Sequence, residues 1–179
     1  MIKFDSYSAR LNYNPSANWA LQVSRGFLKS PEQLHPEENV YRTTASATYS
    51  TVFTGEKLLN VTALWGLNKT PAQQGDNSAL LEGDLRLKRL DLYTRYKFVQ
   101  KTTEELVLNP VVYSNDTIFP VNAITFGLNY NLLKLGPLNL AAGGQLSYYG
   151  ADSRLNNLYG TNPMAGEVFI RLYPRLMKV

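Results

Sequence analysis

Glu82 and Asp84 stand two residues apart in the stretch Ala79–Val99, ALLEGDLRLKRLDLYTRYKFV, where Arg86, Lys88, Asp91, Arg95 and Lys97 follow. Two carboxylates can run acid–base hydrolysis of a glycosidic bond. The basic residues that accompany them point instead to a ladder of ion pairs. Rings of such charges also tune ion selectivity in a pore. On that reading Arg10, Arg42, Arg86, Arg95 and Arg171 favour anions if they crowd a constriction, while Glu82, Asp84, Asp91 and Glu167 offset them locally, so the residues alone do not fix the sign of selectivity. Nucleophilic hydrolysis needs a Ser or Thr beside a base such as His. The single histidine, His35, lies between Leu34 and Pro36 in a loop, and no serine stands in a nucleophile-elbow setting. An enzyme is therefore not expected. Asp76, Asp116 and Asp152 fall in loops without the spacing of a calcium loop. With no cysteine there is no thiolate metal site and no disulfide. No cofactor or metal is expected, and the triplets at Asn60, Asn68 and Asn115 read as chance glycosylation matches.

The elements that would position these charges are strands. In Ala79–Val99 the side chains alternate strictly. Leu81, Gly83, Leu85 and Leu87 share one face, and Glu82, Asp84, Arg86 and Lys88 share the other. After a tight turn at Lys88–Leu90, Leu92, Thr94, Tyr96 and Phe98 oppose Asp91, Tyr93, Arg95 and Lys97. A period of two is the signature of a sheet. The same alternation predicts strands over Phe4–Tyr13, Asn18–Leu28, Tyr41–Phe53, Leu58–Asn68, Val121–Leu132, Leu138–Tyr149 and Ala165–Tyr173. Arg25 is an anomaly on an apolar face, to be met by snorkelling or by a bulge. Leu106–Tyr113 is interrupted by Pro110 and reads mostly as loop. No helix-period segment of useful length appears, so the fold class is all-β.

Composition narrows the class. The 179 residues make one domain, carry 18 Lys+Arg against 14 Asp+Glu, and hold twelve Tyr, seven Phe and two Trp. The basic residues are scattered, which argues against nucleic acid as a partner. No run of about 18 apolar residues exists for a transmembrane helix, yet strands of about 9–11 residues can cross a bilayer with weak hydropathy. The connections near 14–17, 54–57, 88–90 and 133–137 are short, and those near 29–40, 69–78, 100–120 and 150–164 are long. This is the pattern of an antiparallel up-and-down transmembrane β-barrel with short periplasmic turns and long outer loops.

Energetics choose the inward face. Turned toward hydrocarbon, basic residues such as Arg86, Arg95 and Lys97 would each cost roughly 2–4 kcal/mol near the midplane, and the acidic ones less. A total above about 10 kcal/mol exceeds the stability of an ordinary domain. The expected lumen lining is thus Arg10, Arg42, Glu82, Asp84, Arg86, Lys88, Asp91, Arg95, Lys97, Glu167 and Arg171. The expected aromatic girdles are Tyr13, Trp19, Phe53 and Tyr130 beside short turns, with Phe27, Tyr41, Phe98, Tyr148 and Trp65 toward the long loops. Membrane lipid is the expected partner, with small polar solutes or ions passing through. A soluble ligand-binding barrel, with its apolar face inward, explains the alternation equally well. It explains the loop asymmetry and girdles less well.

The count is nine strands, where barrels of this kind are normally even-numbered. The expectation is that the chain is the C-terminal portion of a larger barrel, incomplete at the N-terminus. A tenth strand at Leu106–Tyr113 is the alternative.

Three segments carry a resemblance. YTRYKFVQKTTEEL (Tyr93–Leu106), LYGTNP (Leu158–Pro163) and VFIRLYPRLM (Val168–Met177) resemble the C-terminal half of uncharacterised outer-membrane barrel proteins of Gram-negative bacteria. The resemblance implies an outer-membrane, broadly porin-like barrel and supplies no catalytic residue. Such barrels usually end in an aromatic residue, whereas this chain ends Met177-Lys178-Val179 and its last aromatic is Tyr173.

Overall fold

A computed structural model describes residues 5–31, 37–54, 57–71, 75–114 and 117–174. His35, Asp116 and the tail Met177–Val179 lie outside the described residues. The described residues form nine strands: β1 (Tyr7–Ser16), β2 (Trp19–Lys29), β3 (Asn39–Phe53), β4 (Lys57–Lys69), β5 (Asp76–Leu87), β6 (Leu90–Thr102), β7 (Ile118–Leu135), β8 (Leu138–Gly150) and β9 (Met164–Pro174). They make one antiparallel sheet in which every strand pairs only with its neighbours in sequence. Among the described residues the helical content is a 3-10 turn at Ser153–Leu155 running into a four-residue helix, α1 (Asn156–Tyr159). Leu106–Tyr113 is not a strand; it turns.

Connections alternate as the sequence predicts. Residues 17–18, 54–56, 88–89 and 136–137 join hairpins at one end of the sheet. The connections 30–38, 70–75, 103–117 and 151–163 lie at the other. Gly136 has φ +58° and precedes Pro137. A glycine at positive φ in the first turn position is what a type II′ hairpin asks for. Lys88 takes the same role at φ 56° without being glycine. Leu132 sits at a register shift in β7, which lets that strand continue to Leu135. At Arg25 the pairing to both neighbours runs on without a shift, so there is no bulge there.

The pairing is staggered. A row of facing residues that starts at Ser16, the last residue of β1, passes through Trp19, Val61, Thr94 and Leu146 and ends at Gly166, near the start of β9. Across the sheet the row climbs from the short-turn end to the long-loop end. Tilted strands with cumulative stagger are the geometry that curls a sheet toward a cylinder. The described sheet is not closed: β1 and β9 are its edges, and both run from the long-loop end to the short-turn end.

Burial is inverted relative to a soluble sheet. Every buried strand residue lies on the side that carries the charges: Val40, Gly66, Phe119, Ala123, Asn129, Ala141, Gly143 and Ser147. On the opposite side large apolar groups stand in the open, with Phe126 59%, Ile170 78% and Val168 90% exposed. Curvature explains the difference, because side chains crowd on a concave face and splay on a convex one. The nine expected girdle aromatics all lie on the convex side by strand parity. Phe27 packs on Tyr41 at 5.2 Å between ring centroids, and Trp19 on Tyr49 at 4.9 Å. Toward the long loops, Tyr148 donates to Asn162 at 2.6 Å and Trp65 to Asn77 at 3.2 Å.

A small core forms where the long loops meet the sheet. Phe119, fully buried on the concave side of β7, packs with Leu108 and Leu155, and Leu106, Tyr113 and Ala151 close around them. The Arg154 guanidinium lies 4.7 Å from the Phe119 ring centroid, and the Tyr113 hydroxyl donates to the Arg154 carbonyl at 3.1 Å. Arg154 also grips both oxygens of Asp152, at 2.9 and 2.8 Å. Hydrogen bonds from Arg154 hold the Asp152 carboxyl at a pKa of about 2, below its ordinary value of 3.8.

Candidate functional site: the concave polar face

Strand parity alone delivers the expected lining to one surface. Even-numbered residues of β5 and odd-numbered residues of β6 point to the concave side, and the pairing sets them opposite one another. Glu82 faces Arg95, which donates its Nε hydrogen to the carboxylate. Arg86 faces Asp91 and donates to it at 2.9 Å. Asp91 accepts again from Asn129 on β7 at 3.2 Å. Asp84 lies opposite Asn60 on β4, at 3.5 Å from its amide, and Asn60 accepts from Ser50 on β3 at 2.7 Å. The ladder thus runs across five strands. Partly exposed pairs of this kind stabilise by about 0–1 kcal/mol each, so the ladder fixes side-chain directions more than it holds the fold.

The ladder continues over β7 and β8 through two aromatic rings. A Cβ built at Gly127 would lie 2.2 Å from Tyr93 Cζ. Only glycine leaves room for the Tyr93 ring to lie across β7 and reach β8, where its hydroxyl donates to Gln145 at 3.1 Å. Gln145 passes its own amide hydrogen to Glu167 on β9 at 2.8 Å. Gly143 does the same for Phe169, whose Cζ would sit 2.6 Å from a Cβ there. The Arg171 guanidinium stands 5.3 Å from the Phe169 ring centroid. Tyr173 donates to Asn131 across the short-turn end of β8.

Between these groups lies a cavity of about 450 Å³, within the range of small-molecule sites. Its charged lining is three acids, Glu82, Asp84 and Asp91, and three bases, Arg86, Arg95 and Arg171. Asn129, 5% exposed, borders this lining, and its buried Oδ1 has no hydrogen-bond partner among the described residues. A second cavity of about 230 Å³ adjoins it toward the long loops, lined by Lys97, Thr125, Ser147 and Tyr149 with Tyr93, Arg95 and Gln145 shared. There the hydroxyls of Thr125 and Ser147 are 2.7 Å apart.

Of the expected lining residues, Glu82, Asp84, Arg86, Asp91, Arg95 and Arg171 meet at the first cavity, and Lys97 borders the second. Glu167 joins through Gln145. Arg42 is on the same side but farther round the sheet, bonded to Asn68 at 2.8 Å, and Arg10 shares that side on β1 opposite Ser24. Lys88 lies in the β5–β6 turn, at the rim. The carboxylates of Glu82 and Asp84, the candidate acid–base pair, are each directed to a neighbouring strand. Asn60, Tyr93, Asn129 and Gln145 complete the site, and the sequence signal for them was parity with the charges. No family model matches this sequence, and neither a curated protein nor a solved structure matches it.

Proposed function

We propose that the chain forms the wall of a porin-like β-barrel in the outer membrane of a Gram-negative bacterium, acting as a passive pore for small polar solutes or ions. The observation that carries the reading is the inverted burial. Crowded, hydrogen-bonded polar groups line the concave side, and the convex side presents Leu, Ile, Val and aromatic residues to its surroundings. In water such a surface is a liability; against lipid chains it is the required one. Strand length agrees. Thirteen-residue strands such as β4, β6 and β8 extend about 43 Å at ~3.3 Å per residue, which a tilt of about 40° reduces to about 33 Å. That covers an apolar band of about 25 Å.

Lipid also demands that no backbone group stay unpaired. The edges of β1 and β9 run in the same direction. Direct pairing between them would be parallel, so an all-antiparallel wall takes an odd number of further strands. This supports a wall segment of a larger barrel. The proposed lumen works by size and charge, with no catalytic group and no cofactor.

A second reading, a barrel with a plugged lumen that binds or scaffolds, draws on the loop core. Leu108, Phe119 and Leu155 gather on the concave side at the long-loop end, where they would narrow the mouth. The deciding experiment is expression behind a signal peptide, followed by fractionation and gel mobility in detergent before and after heating. Outer-membrane recovery with heat-modifiable mobility is the expected result, and single-channel steps in planar bilayers then separate the pore from the plug. Recovery in soluble fractions without detergent would refute both.

A further inference from the structure

We infer that Lys97 makes the lumen selective for anions, forming with Arg95, Thr125, Ser147 and Tyr149 a step that holds small oxyanions or carboxylate-bearing solutes. The inference rests on the concave side being the lumen.

Charge is tiered along β5 and β6. Nearest the short turn, Arg86 and Asp91 pair; above them, Arg95 pairs with Glu82. At the long-loop end Lys101 is taken by Glu105 at 2.6 Å. Lys97 lies between, and its cross-strand neighbours are Leu80 on β5 and Ala123 on β7. It is exposed and makes no ion pair among the described residues. The cavity it borders has two cationic side chains, no acidic one, and hydroxyls from three residues besides Tyr93. Arg95 is held by Glu82, so Lys97 is the cation there without a carboxylate partner among the described residues. Ammonium, guanidinium and hydroxyl hydrogens together suit an oxyanion. By strand parity the concave side of the described sheet carries eight basic side chains, Arg10, Arg42, Arg86, Arg95, Lys97, Lys101, Lys134 and Arg171, against five acidic ones, Asp76, Glu82, Asp84, Asp91 and Glu167.

The test uses the absence of any other thiol in the sequence. The wild-type protein and Lys97→Cys are reconstituted in planar bilayers, and reversal potentials are measured in a potassium chloride gradient. The thiol is then modified from the aqueous phase with a cationic or an anionic methanethiosulfonate. One unit charge about 6 Å from a passing ion in a water-like medium changes its local occupancy roughly threefold. Anion preference in the wild type, a drop of about threefold in Lys97→Cys, restoration by the cationic reagent and further loss with the anionic one are expected. A conducting, thiol-reactive channel whose selectivity ignores these changes overturns the inference and leaves the pore standing. No conductance in any variant removes the pore and the inference together.

Discussion

Thr125 and Phe126 are adjacent on β7 and point to opposite sides of the sheet, so the same substitution at each reports which side meets lipid. Phe126 is the ninth of eighteen residues in its strand and is 59% exposed. Facing lipid near the midplane, Phe126→Arg should cost about 2–4 kcal/mol, before the lost apolar contact of the ring is counted. That is roughly a thirty- to nine-hundred-fold shift in the folding equilibrium. Thr125→Arg loses one hydroxyl contact, to Ser147 at 2.7 Å, worth about 0.5–1.5 kcal/mol, and leaves the guanidinium in water. Denaturant titration from phospholipid vesicles, followed by the fluorescence of Trp19 and Trp65, measures both variants. Both tryptophans lie on the convex side, where transfer from lipid to water changes their emission. In a soluble protein an exposed Phe126 would accept arginine within about 0.5 kcal/mol. A small cost at Phe126 with a larger one at Thr125 would refute the assignment of the faces.

Three further outcomes are expected. Phe119→Ala should remove about 3–5 kcal/mol from the loop core it anchors, and faster amide exchange confined to residues 103–114 and 151–163 would show it. Acid should loosen the same core. The Asp152 carboxyl is depressed to about 2, so its contribution is full above its ordinary value near 4 and fades as pH falls toward 2; limited proteolysis at pH 5 and pH 2 reads this, and Asp152→Asn should be sensitive already at pH 5. Lys88→Gly should stabilise by about 1 kcal/mol, since a side chain at φ 56° is strained where glycine is not; a fall in the denaturation midpoint would contradict that account.

The fold was largely legible because period-two alternation is a strong signal when both faces are chemically distinct. The alternation over Tyr41–Phe53 matches β3 to within two residues, and the strand charges of Ala79–Val99 share one side as their spacing predicts. The misses have physical causes. Asp76 and Asn77 look like loop residues, yet β5 begins at Asp76, because the Asn77 backbone N–H donates to Gln100 Oε1 and the Asn77 side-chain oxygen accepts from Trp65. Pro120 suggested a loop, yet it sits within β7 opposite Gln100. Leu133–Leu135 looked like turn, but a register shift at Leu132 keeps them paired with β8. At the site, parity gave the charged lining, whereas the routes of Tyr93 over Gly127 and Phe169 over Gly143 depend on contacts between strands that no single stretch encodes. The loop core joins Leu108 to Leu155 across two strands and could not be read from either loop alone.

The strictly sequential pairing has a consequence for how such a wall is made. Each strand needs only the one before it, so hairpins can zip in any order with little chain entropy spent on distant encounters. In the proposed barrel, closing the seam at the β1 and β9 edges would be the one step that joins parts of the sheet remote in sequence. Until it seals, two rows of unpaired amides remain as templates for stray strands. On the proposed outer-membrane reading, a cell exporting this chain would have to shelter it up to the moment of closure, with insertion into lipid and sealing of the seam becoming one event.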